Sequence, residues 1–261
     1  MLCKHFGFKT VPFMPQQSNF FESESSKLNL VKLQTIKYVP QISLVTGNIG
    51  SGKTSLVSSF INTLDPMEFR VISSQLTKPS IRGLFKNLAS RANIKHSIYG
   101  DDIKLQLLTY FDEIRNQGKF TIIVLDEVHT FSVEVLDQLK TFFDSHNNFS
   151  LILIAQPEIL KKLRLHVCLP VKQRISIFIN LKALSLSETK DYVDFKLKSV
   201  GSLQPLFDES CFPKLFQYSE GIYRMIDQIC FQSITEAFLS KSSIISTEII
   251  EKAFNSLDYN F

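Results

Sequence analysis

The chain has 261 residues, of which 44% are hydrophobic and 21% charged, so it is long enough for one large domain or a core with a small appendage. It lacks both a membrane-length apolar run and a leader with a small-residue cleavage site, so we expect neither a membrane span nor a signal peptide. Cys3, Cys168, Cys211 and Cys230 have no paired spacing, which favours free thiols in a reducing cytoplasm over a zinc site or disulfide framework.

The net charge of +4 is unevenly distributed along the chain. Residues 1–187 carry 22 Lys and Arg against 14 Asp and Glu, whereas residues 188–261 carry 7 against 11, giving net charges of +8 and −4. Residues 69–100 and 159–187 each contain six Lys and Arg and no acid. This asymmetry indicates a polyanionic partner, and a solvated face with cations that bind a nucleotide is an equal alternative.

Strands and helices are predicted to alternate over most of the chain. Residues 1–38 are expected to form an irregular arm and a lead-in helix whose apolar periodicity covers residues 28–36. Short apolar strands are predicted at residues 41–46, 69–73, 120–125, 150–155 and 175–181. Helices are predicted at residues 53–64, from Pro79 as the first residue, at 101–117, 132–145, 187–199, 208–219, 221–240 and 246–257.

This order of elements predicts the fold class and a division into domains. Continuous apolar strands separated by helices indicate a parallel sheet covered on both faces. We therefore expect an α/β core with a five-stranded parallel sheet over residues 39–184. The arm covers residues 1–38, and a small all-helical lid covers residues 185–261.

A phosphate-binding loop is predicted directly after the first strand. Its sequence is Gly47-Asn48-Ile49-Gly50-Ser51-Gly52-Lys53-Thr54. Glycines let backbone N–H groups turn towards phosphate, Lys53 reaches the β- and γ-phosphates, and the Thr54 hydroxyl binds magnesium. The residues expected to contact ATP are Gly47, Asn48, Gly50, Ser51, Gly52, Lys53, Thr54 and Ser55.

Two acids follow the most hydrophobic strand. Asp126 stands where a second ligand of Mg²⁺ is expected, together with Thr54, and Glu127 is placed to polarise an attacking water. The alternative is an ordinary surface turn, although the buried end of an apolar strand is a costly place for charge. His129 either lines the same site or simply enters the next helix.

Three further polar residues are candidates for sensing or stabilising the γ-phosphate. Gln156 follows the fourth predicted strand and either touches the γ-phosphate or forms a simple turn before Pro157. Arg174 precedes the last strand, where an arginine can stabilise transition-state charge on a neighbouring subunit's ATP. Arg224 follows Gly221 at the start of a lid helix. A lone arginine is more often a surface residue, and the constellation favours function for both.

With those positions in place, the sequence resembles a bacterial AAA+ family, that of general secretion pathway protein A and the related transposition-helper ATPases. The segments that carry the resemblance are HFGF (5–8), PF (12–13), GNIGSGKT (47–54), VLDEVH (124–129), LILIAQPEI (151–159), VKQRI (171–175), LKALSLSET (181–189) and GIYRMIDQIC (221–230). The resemblance implies that Gln156 is sensor 1, Arg174 the finger that acts in trans, and Arg224 sensor 2.

The sequence also departs from the family pattern at three positions. Ala155 stands where the family often has Gly, Tyr223 replaces the lid Pro, and Asp227 replaces a usual Asn. None of them lies in the phosphate loop or among the acids expected to bind the metal. We therefore expect ATP binding and ATP hydrolysis, while the strength of coupling through Arg224 stays open.

Within the resemblance, the first functional hypothesis is a regulator of DNA transposition. ATP-bound subunits would assemble as a ring or helical filament on double-stranded DNA, without sequence readout, and direct a transposase, with or without a target-site adaptor protein. The basic core supports contact with DNA phosphates. The candidate residues are Lys78, Arg82, Lys86 and Lys140, and a solvated helix face explains each almost as well.

Two alternatives stay open at this point. A secretion-assembly ATPase is expected to carry a membrane anchor and a peptidoglycan-binding region, which we do not find in this sequence. A nucleotide-gated oligomerising module with vestigial catalysis is the other alternative, and the intact Lys53, Asp126, Glu127 and Arg174 argue against it.

Overall fold

The computed structural model describes residues 2–14, 20–94, 100–146, 148–202 and 204–257, with only the backbone described for residues 100–102. Its strands are β1 (Ile42–Gly47), β2 (Phe69–Gln75), β3 (Phe120–Asp126), β4 (Phe149–Ala155) and β5 (Ile175–Leu181). Its helices are α1 (Leu2–Phe6), α2 (Glu24–Gln34), α3 (Lys53–Asn62), α4 (Ile81–Arg91), α5 (Gly100–Asn116), α6 (Val133–Ser145), α7 (Glu158–Leu163), α8 (Leu169–Arg174), α9 (Leu186–Ser199), α10 (Phe212–Ser219), α11 (Tyr223–Leu239) and α12 (Thr247–Ser256).

The described strands form a five-stranded sheet in the order β2-β3-β4-β1-β5, and every neighbouring pair is parallel. The central strands β1 and β4 are buried along their whole length, because helices cover both faces of a parallel sheet. The predicted five-stranded parallel α/β fold is therefore confirmed.

This strand order brings three carboxyl ends together at one edge of the sheet. Thr46 of β1 pairs with Ala155 of β4, and Leu153 of β4 pairs with Leu125 of β3. The phosphate loop after β1, Gln156 after β4 and Asp126 at the end of β3 therefore share that edge. In open α/β sheets this edge is where ligands bind.

An aromatic cluster fills the space between the sheet and the helices beside it. The ring of Phe142 on α6 lies 4.9 Å from Phe85, 6.2 Å from Phe111 and 5.2 Å from Phe149 between centroids. All four side chains are buried. The abundant phenylalanine in this region is thus core material that fixes the helices against β4.

Helix α4 differs from its sequence-based prediction at its N-terminus. The helix begins at Ile81 rather than at Pro79, because the Ser80 hydroxyl accepts a hydrogen bond from the Gly83 N–H at 3.1 Å and caps the helix. The lead-in helix α2 likewise begins at Glu24, before the apolar periodicity that marked it. Short helices at residues 158–163 and 169–174, and α1 in the arm, were not predicted.

The chain divides into two compact units. One comprises residues 24–49 and 53–181, and the other comprises residues 1–23, 50–52 and 182–261. In the second unit, the N-terminal Phe8 and Phe13 are buried in the same apolar cluster as Leu215 and Ile226 of the lid helices. Among the described residues, no helix has both the length and the apolar character needed to cross a bilayer.

Candidate nucleotide-binding site

The loop between β1 and α3 has the backbone conformation that a phosphate loop requires. Gly50 and Gly52 have positive φ values of 78° and 84°, which L-residues rarely adopt. A Cβ on Gly50 would lie 2.8 Å from Arg224 Cβ and 3.1 Å from Ile222 Cγ2, so there is also no space for one. Glycine at position 50 is therefore required both by conformation and by close packing.

Lys53 and Thr54 begin helix α3 at the end of this loop. The Lys53 ammonium donates to the carbonyl oxygens of Gly47 at 2.7 Å and Asn48 at 2.8 Å. The Thr54 hydroxyl donates to Asp126 Oδ2 at 3.0 Å. The structure thus brings together Thr54 and Asp126, which are separated by 72 residues.

The turn after β3 holds the two predicted acids in different orientations. Asp126 Oδ1 accepts a hydrogen bond from the Glu127 backbone N–H at 2.7 Å, which fixes the carboxylate at the strand end. Glu127 adopts a left-handed conformation with φ of 62°, an unusual conformation for a glutamate. Its side chain is 31% exposed, so it can meet solvent water.

The residues at this edge fit a nucleoside triphosphate with magnesium. Ser51 Oγ, in the loop, is buried and has no hydrogen-bond partner among the described residues, as expected for a group that completes its bonding with a ligand. Thr54 and Asp126 supply the hard oxygen donors that Mg²⁺ prefers. The described residues contain no group of three His, Cys, Asp or Glu that could hold a metal ion.

Gln156 lies immediately after β4, and its backbone N–H donates to Nδ1 of His129 at 3.3 Å. His129 Nε2 lies 3.5 Å from Glu127 Oε2. His129 therefore belongs to the site, a placement that the sequence left open. The VLDEVH segment contains the residue but gives no sign of its contact with position 156.

Arg174 is the last residue of α8, and its side chain is 55% exposed. Its Nε donates to Asp144 Oδ1 at 2.9 Å, while Lys140 binds the other oxygen of the same carboxylate at 3.0 Å. Sequence reasoning missed Asp144. No spacing rule links positions 144 and 174, which α6 and α8 bring together.

Arg224 is exposed near the start of α11, and its backbone N–H lies 3.4 Å from the Gly50 carbonyl oxygen. The preceding Gly221 has a φ of 69°, and a Cβ there would lie 2.1 Å from the Leu184 carbonyl oxygen. Tyr223 opens the helix with its ring edge-on to Tyr192, at 4.9 Å between centroids. The first turn of a helix accepts either Pro or another residue, so Tyr223 leaves the helix intact.

The residues predicted to contact DNA differ in their surroundings. Lys78, Arg82 and Lys86 are exposed, and the last two are four residues apart on one face of α4. Lys140 is half-buried and ion-paired with Asp144. A role in binding DNA stays a prediction for all four.

The fold and this site define a P-loop nucleotide-binding protein, and comparisons with known proteins narrow the class. Residues 36–163 match the family model described as an AAA domain. General secretion pathway protein A of Aeromonas hydrophila is 30% identical over 208 residues, which are 75% of this chain and 37% of that protein. The chain thus spans little more than a third of that relative's length. It belongs to the AAA+ ATPases that resemble general secretion pathway protein A.

Solved structures with low sequence identity share the fold. The Aeropyrum pernix ORC2 protein has a TM-score of 0.69 at 14% identity, covering 99% of this chain and 72% of that chain. The Aeropyrum pernix ORC1 protein in complex with DNA has a TM-score of 0.74 at 14% identity, covering 94% of this chain and 68% of that chain. These similarities establish the AAA+ architecture.

Proposed function

We propose that this protein binds ATP with magnesium at the phosphate loop and hydrolyses it. The 3.0 Å hydrogen bond between Thr54 and Asp126 carries the proposal, because the two oxygens that would bind magnesium are neighbours where α3 begins and β3 ends. Bound magnesium neutralises charge on the phosphate oxygens. Lys53, at the same helix start, binds the β- and γ-phosphates.

In the proposed reaction Glu127 is the general base. It accepts a proton from water as the water oxygen attacks the γ-phosphorus. The bond between the γ-phosphorus and the oxygen that bridges it to the β-phosphate breaks, and ADP leaves. Gln156 binds the γ-phosphate or the attacking water from the end of β4. Arg174 stabilises the transition state on the ATP of a neighbouring subunit, so the active form is a homo-oligomer. Arg224 reports the γ-phosphate to the lid.

The metal contact can be tested with two threonines of the same region. Thr54→Val removes the hydroxyl from the site, whereas Thr63→Val removes the hydroxyl of an exposed residue that donates to the Phe60 carbonyl at 2.7 Å. We expect Thr54→Val to lose the Mg²⁺ dependence of binding to a fluorescent ATP analogue, and Thr63→Val to keep it. Equal Mg²⁺ dependence in both variants would contradict the proposed metal site.

We further infer that the ATP-bound oligomer binds double-stranded DNA without reading its sequence and regulates transposition. Lys78, Arg82 and Lys86 support it, because exposed cations near one helix start can neutralise successive phosphates. The resemblance to transposition-helper ATPases and the DNA-bound ORC1 protein of similar fold agree with it. A transposase, with or without a target-site adaptor, is the proposed partner. All four cysteines are free, which suits the proposed cytoplasmic location.

Binding to random duplex DNA with no nucleotide, ADP or a non-hydrolysable ATP analogue tests this proposal. We expect analogue-dependent binding that weakens with salt and disappears in Lys53→Ala. A double variant with both Arg82→Ala and Lys86→Ala is expected to reduce the slope of log affinity against log salt concentration by about 2 per subunit. The matched control changes Lys27 and Lys32, exposed cations on α2, to Ala. Absence of DNA binding in every nucleotide state would overturn the DNA proposal.

A secretion-assembly ATPase is the second candidate, and the identity to general secretion pathway protein A favours it. In that case the partner is a protein, and DNA binding is absent while ATP turnover remains. An oligomerising module with vestigial catalysis is the third candidate, in which nucleotide binds without turnover. Neighbouring genes separate the first two, since an integrase-like transposase gene supports the DNA proposal and secretion genes support the other.

A further inference from the structure

His129 connects two elements of the candidate site through its two ring nitrogens. Nδ1 accepts the backbone N–H of Gln156 at 3.3 Å, and Nε2 lies 3.5 Å from Glu127 Oε2. A ring nitrogen that accepts carries no proton, so the neutral imidazole has its proton on Nε2. That N–H faces the Glu127 carboxylate and can donate to it.

The backbone around His129 is held by several other contacts. The Glu127 carbonyl accepts from the Thr130 N–H at 3.0 Å and from the Thr130 hydroxyl at 2.8 Å. The Lys162 ammonium donates to the carbonyl oxygens of His129, at 2.9 Å, and of Phe131. The His129 side chain is 14% exposed, so its ring has little freedom to leave this position. The turn that carries Glu127 is therefore fixed to α7, the helix that follows Gln156.

Glu127 itself is held in a left-handed conformation, which is strained for a residue with a side chain. Such strain persists where surrounding contacts over-determine the conformation. The Glu127 carboxylate is in ion-pair contact with His129, whose Nε2 lies 3.5 Å from Glu127 Oε2. The carboxylate direction thus depends on His129 as well as on the backbone.

We propose that His129 is a positioning residue that orients Glu127 for proton transfer and couples it to the strand end that carries Gln156. The inference rests on the proposed role of Glu127 as general base. The imidazole donates through Nε2 to the carboxylate and accepts through Nδ1 from the Gln156 N–H. A displacement of Gln156 by the γ-phosphate is in this way transmitted through one rigid ring to Glu127.

Two conservative substitutions separate the two contacts of the ring. In His129→Gln, the side-chain amide nitrogen stands near the position of Nε2 and can still donate to Glu127. In His129→Asn, the side-chain oxygen stands near the position of Nδ1 and can still accept from Gln156. His129→Ala removes both contacts.

The experiment measures kcat and KM for Mg-ATP in full-length wild type and the three variants, with the affinity for a fluorescent ATP analogue measured in parallel. We expect His129→Ala and His129→Asn to lower kcat about tenfold, because the base is no longer oriented. We expect His129→Gln to recover most of kcat. KM and analogue affinity are expected to change by less than about threefold, because a positioning residue acts on the transition state.

Several results would overturn the inference. Equal kcat in wild type and His129→Ala would show that Glu127 needs no orientation from the ring. Recovery of kcat by His129→Asn but not by His129→Gln would mean that His129 holds only the end of β4 in place and does not orient Glu127. If His129→Ala fails to bind the analogue because it is misfolded, the comparison of the Gln and Asn variants decides.

A variant of Glu127 distinguishes failure of this inference from failure of the proposed function. If Glu127→Gln abolishes turnover while His129→Ala leaves kcat unchanged, only the positioning role is wrong. If Glu127→Gln turns over ATP at the wild-type rate, the general base is wrongly assigned and the inference falls with it.

Discussion

Two glycines with similar backbone φ values differ in how closely other atoms pack around them. Gly221 and Gly7 have nearly the same positive φ values, 69° and 72°. A Cβ on Gly221 would lie 2.1 Å from the Leu184 carbonyl oxygen, whereas a Cβ on Gly7 would meet nothing within 4 Å. The two positions therefore have similar φ values and differ in the space around them.

Gly221→Ala is expected to destabilise the protein by about 3 kcal/mol, from left-handed strain plus displacement of the Leu184 backbone. Gly7→Ala is expected to cost only about 1 kcal/mol, from strain alone. Denaturant unfolding of both variants measures the difference. Equal losses of stability would mean that the contact with Leu184 contributes nothing.

Asp227 is a partly buried acid within the lid. Its Oδ1 accepts the Tyr192 hydroxyl at 2.8 Å, and its Oδ2 lies 3.7 Å from the Lys196 ammonium. Burial raises the pKa of this carboxyl from 3.8 to about 6, against the opposing effects of Lys196 and Tyr192. The folded protein therefore holds the proton more tightly than the unfolded chain does.

The raised pKa of Asp227 fixes the sign of a pH dependence. Its contribution to stability is complete below the unfolded pKa and is lost as pH rises through the folded pKa of about 6. Between pH 5 and pH 7.5 the wild type is expected to lose about 1 kcal/mol more unfolding free energy than Asp227→Asn. Urea unfolding at the two pH values measures this difference. A larger loss in the variant would contradict the raised pKa.

At the scale of elements, α6 and α8 set the position of the proposed finger. Asp144 near the end of α6 holds Arg174 at the end of α8 through a 2.9 Å ion pair. An arginine paired in this way is partly neutralised and has to leave its partner before it can contact a neighbouring subunit's ATP. If Arg174 is the finger, Asp144 therefore competes with the γ-phosphate for the guanidinium.

Asp144→Asn is expected to raise ATP turnover about two- to fivefold at limiting protein concentration, since an exposed ion pair is worth about 0.5–1 kcal/mol. The control combines Asp144→Asn with Arg174→Ala, in which turnover should equal that of Arg174→Ala alone. Steady-state assays over a range of protein concentrations give the comparison. A decrease in Asp144→Asn would mean that Asp144 aids the finger.

The elements also show what the sequence could predict. The five strands were predicted to within two residues at each end, because continuous apolar runs such as FTIIVL have no helical periodicity. Helices α7 and α8, of six residues each, are too short for a recognisable period. Pro79 suggested a helix start that the Ser80 hydroxyl in fact caps.

In the candidate site, one contact was predictable from the sequence and two others were not. The proximity of Thr54 and Asp126 was predictable. The phosphate loop that ends in Thr54 follows β1, Asp126 ends β3, and parallel strands have their carboxyl ends at the same edge of the sheet. The contacts of His129 with Gln156 and of Asp144 with Arg174 were not. They depend on side-chain directions at positions 27 and 30 residues apart, and no local spacing rule joins such positions.

In the molecule as a whole, most of the candidate site residues lie in the part of the chain that carries the net positive charge. The phosphate loop, the two acids and Arg174 all lie within the first 187 residues, which carry a net charge of +8. Such a basic region can bind both a nucleotide and a polyanion.

If Arg174 acts in trans, a mixture of Arg174→Ala and Glu127→Gln should turn over more ATP than the sum of the separate proteins.

Whether this site hydrolyses ATP through Glu127 is tested by ATP turnover with magnesium in the wild type and in Glu127→Gln, with nucleotide affinity measured in the same preparations. We expect the substitution to lower kcat at least about a hundredfold, because it removes the base. We expect ATP affinity to change by less than about threefold. Undiminished turnover in the variant would contradict the claim that this site hydrolyses ATP through Glu127.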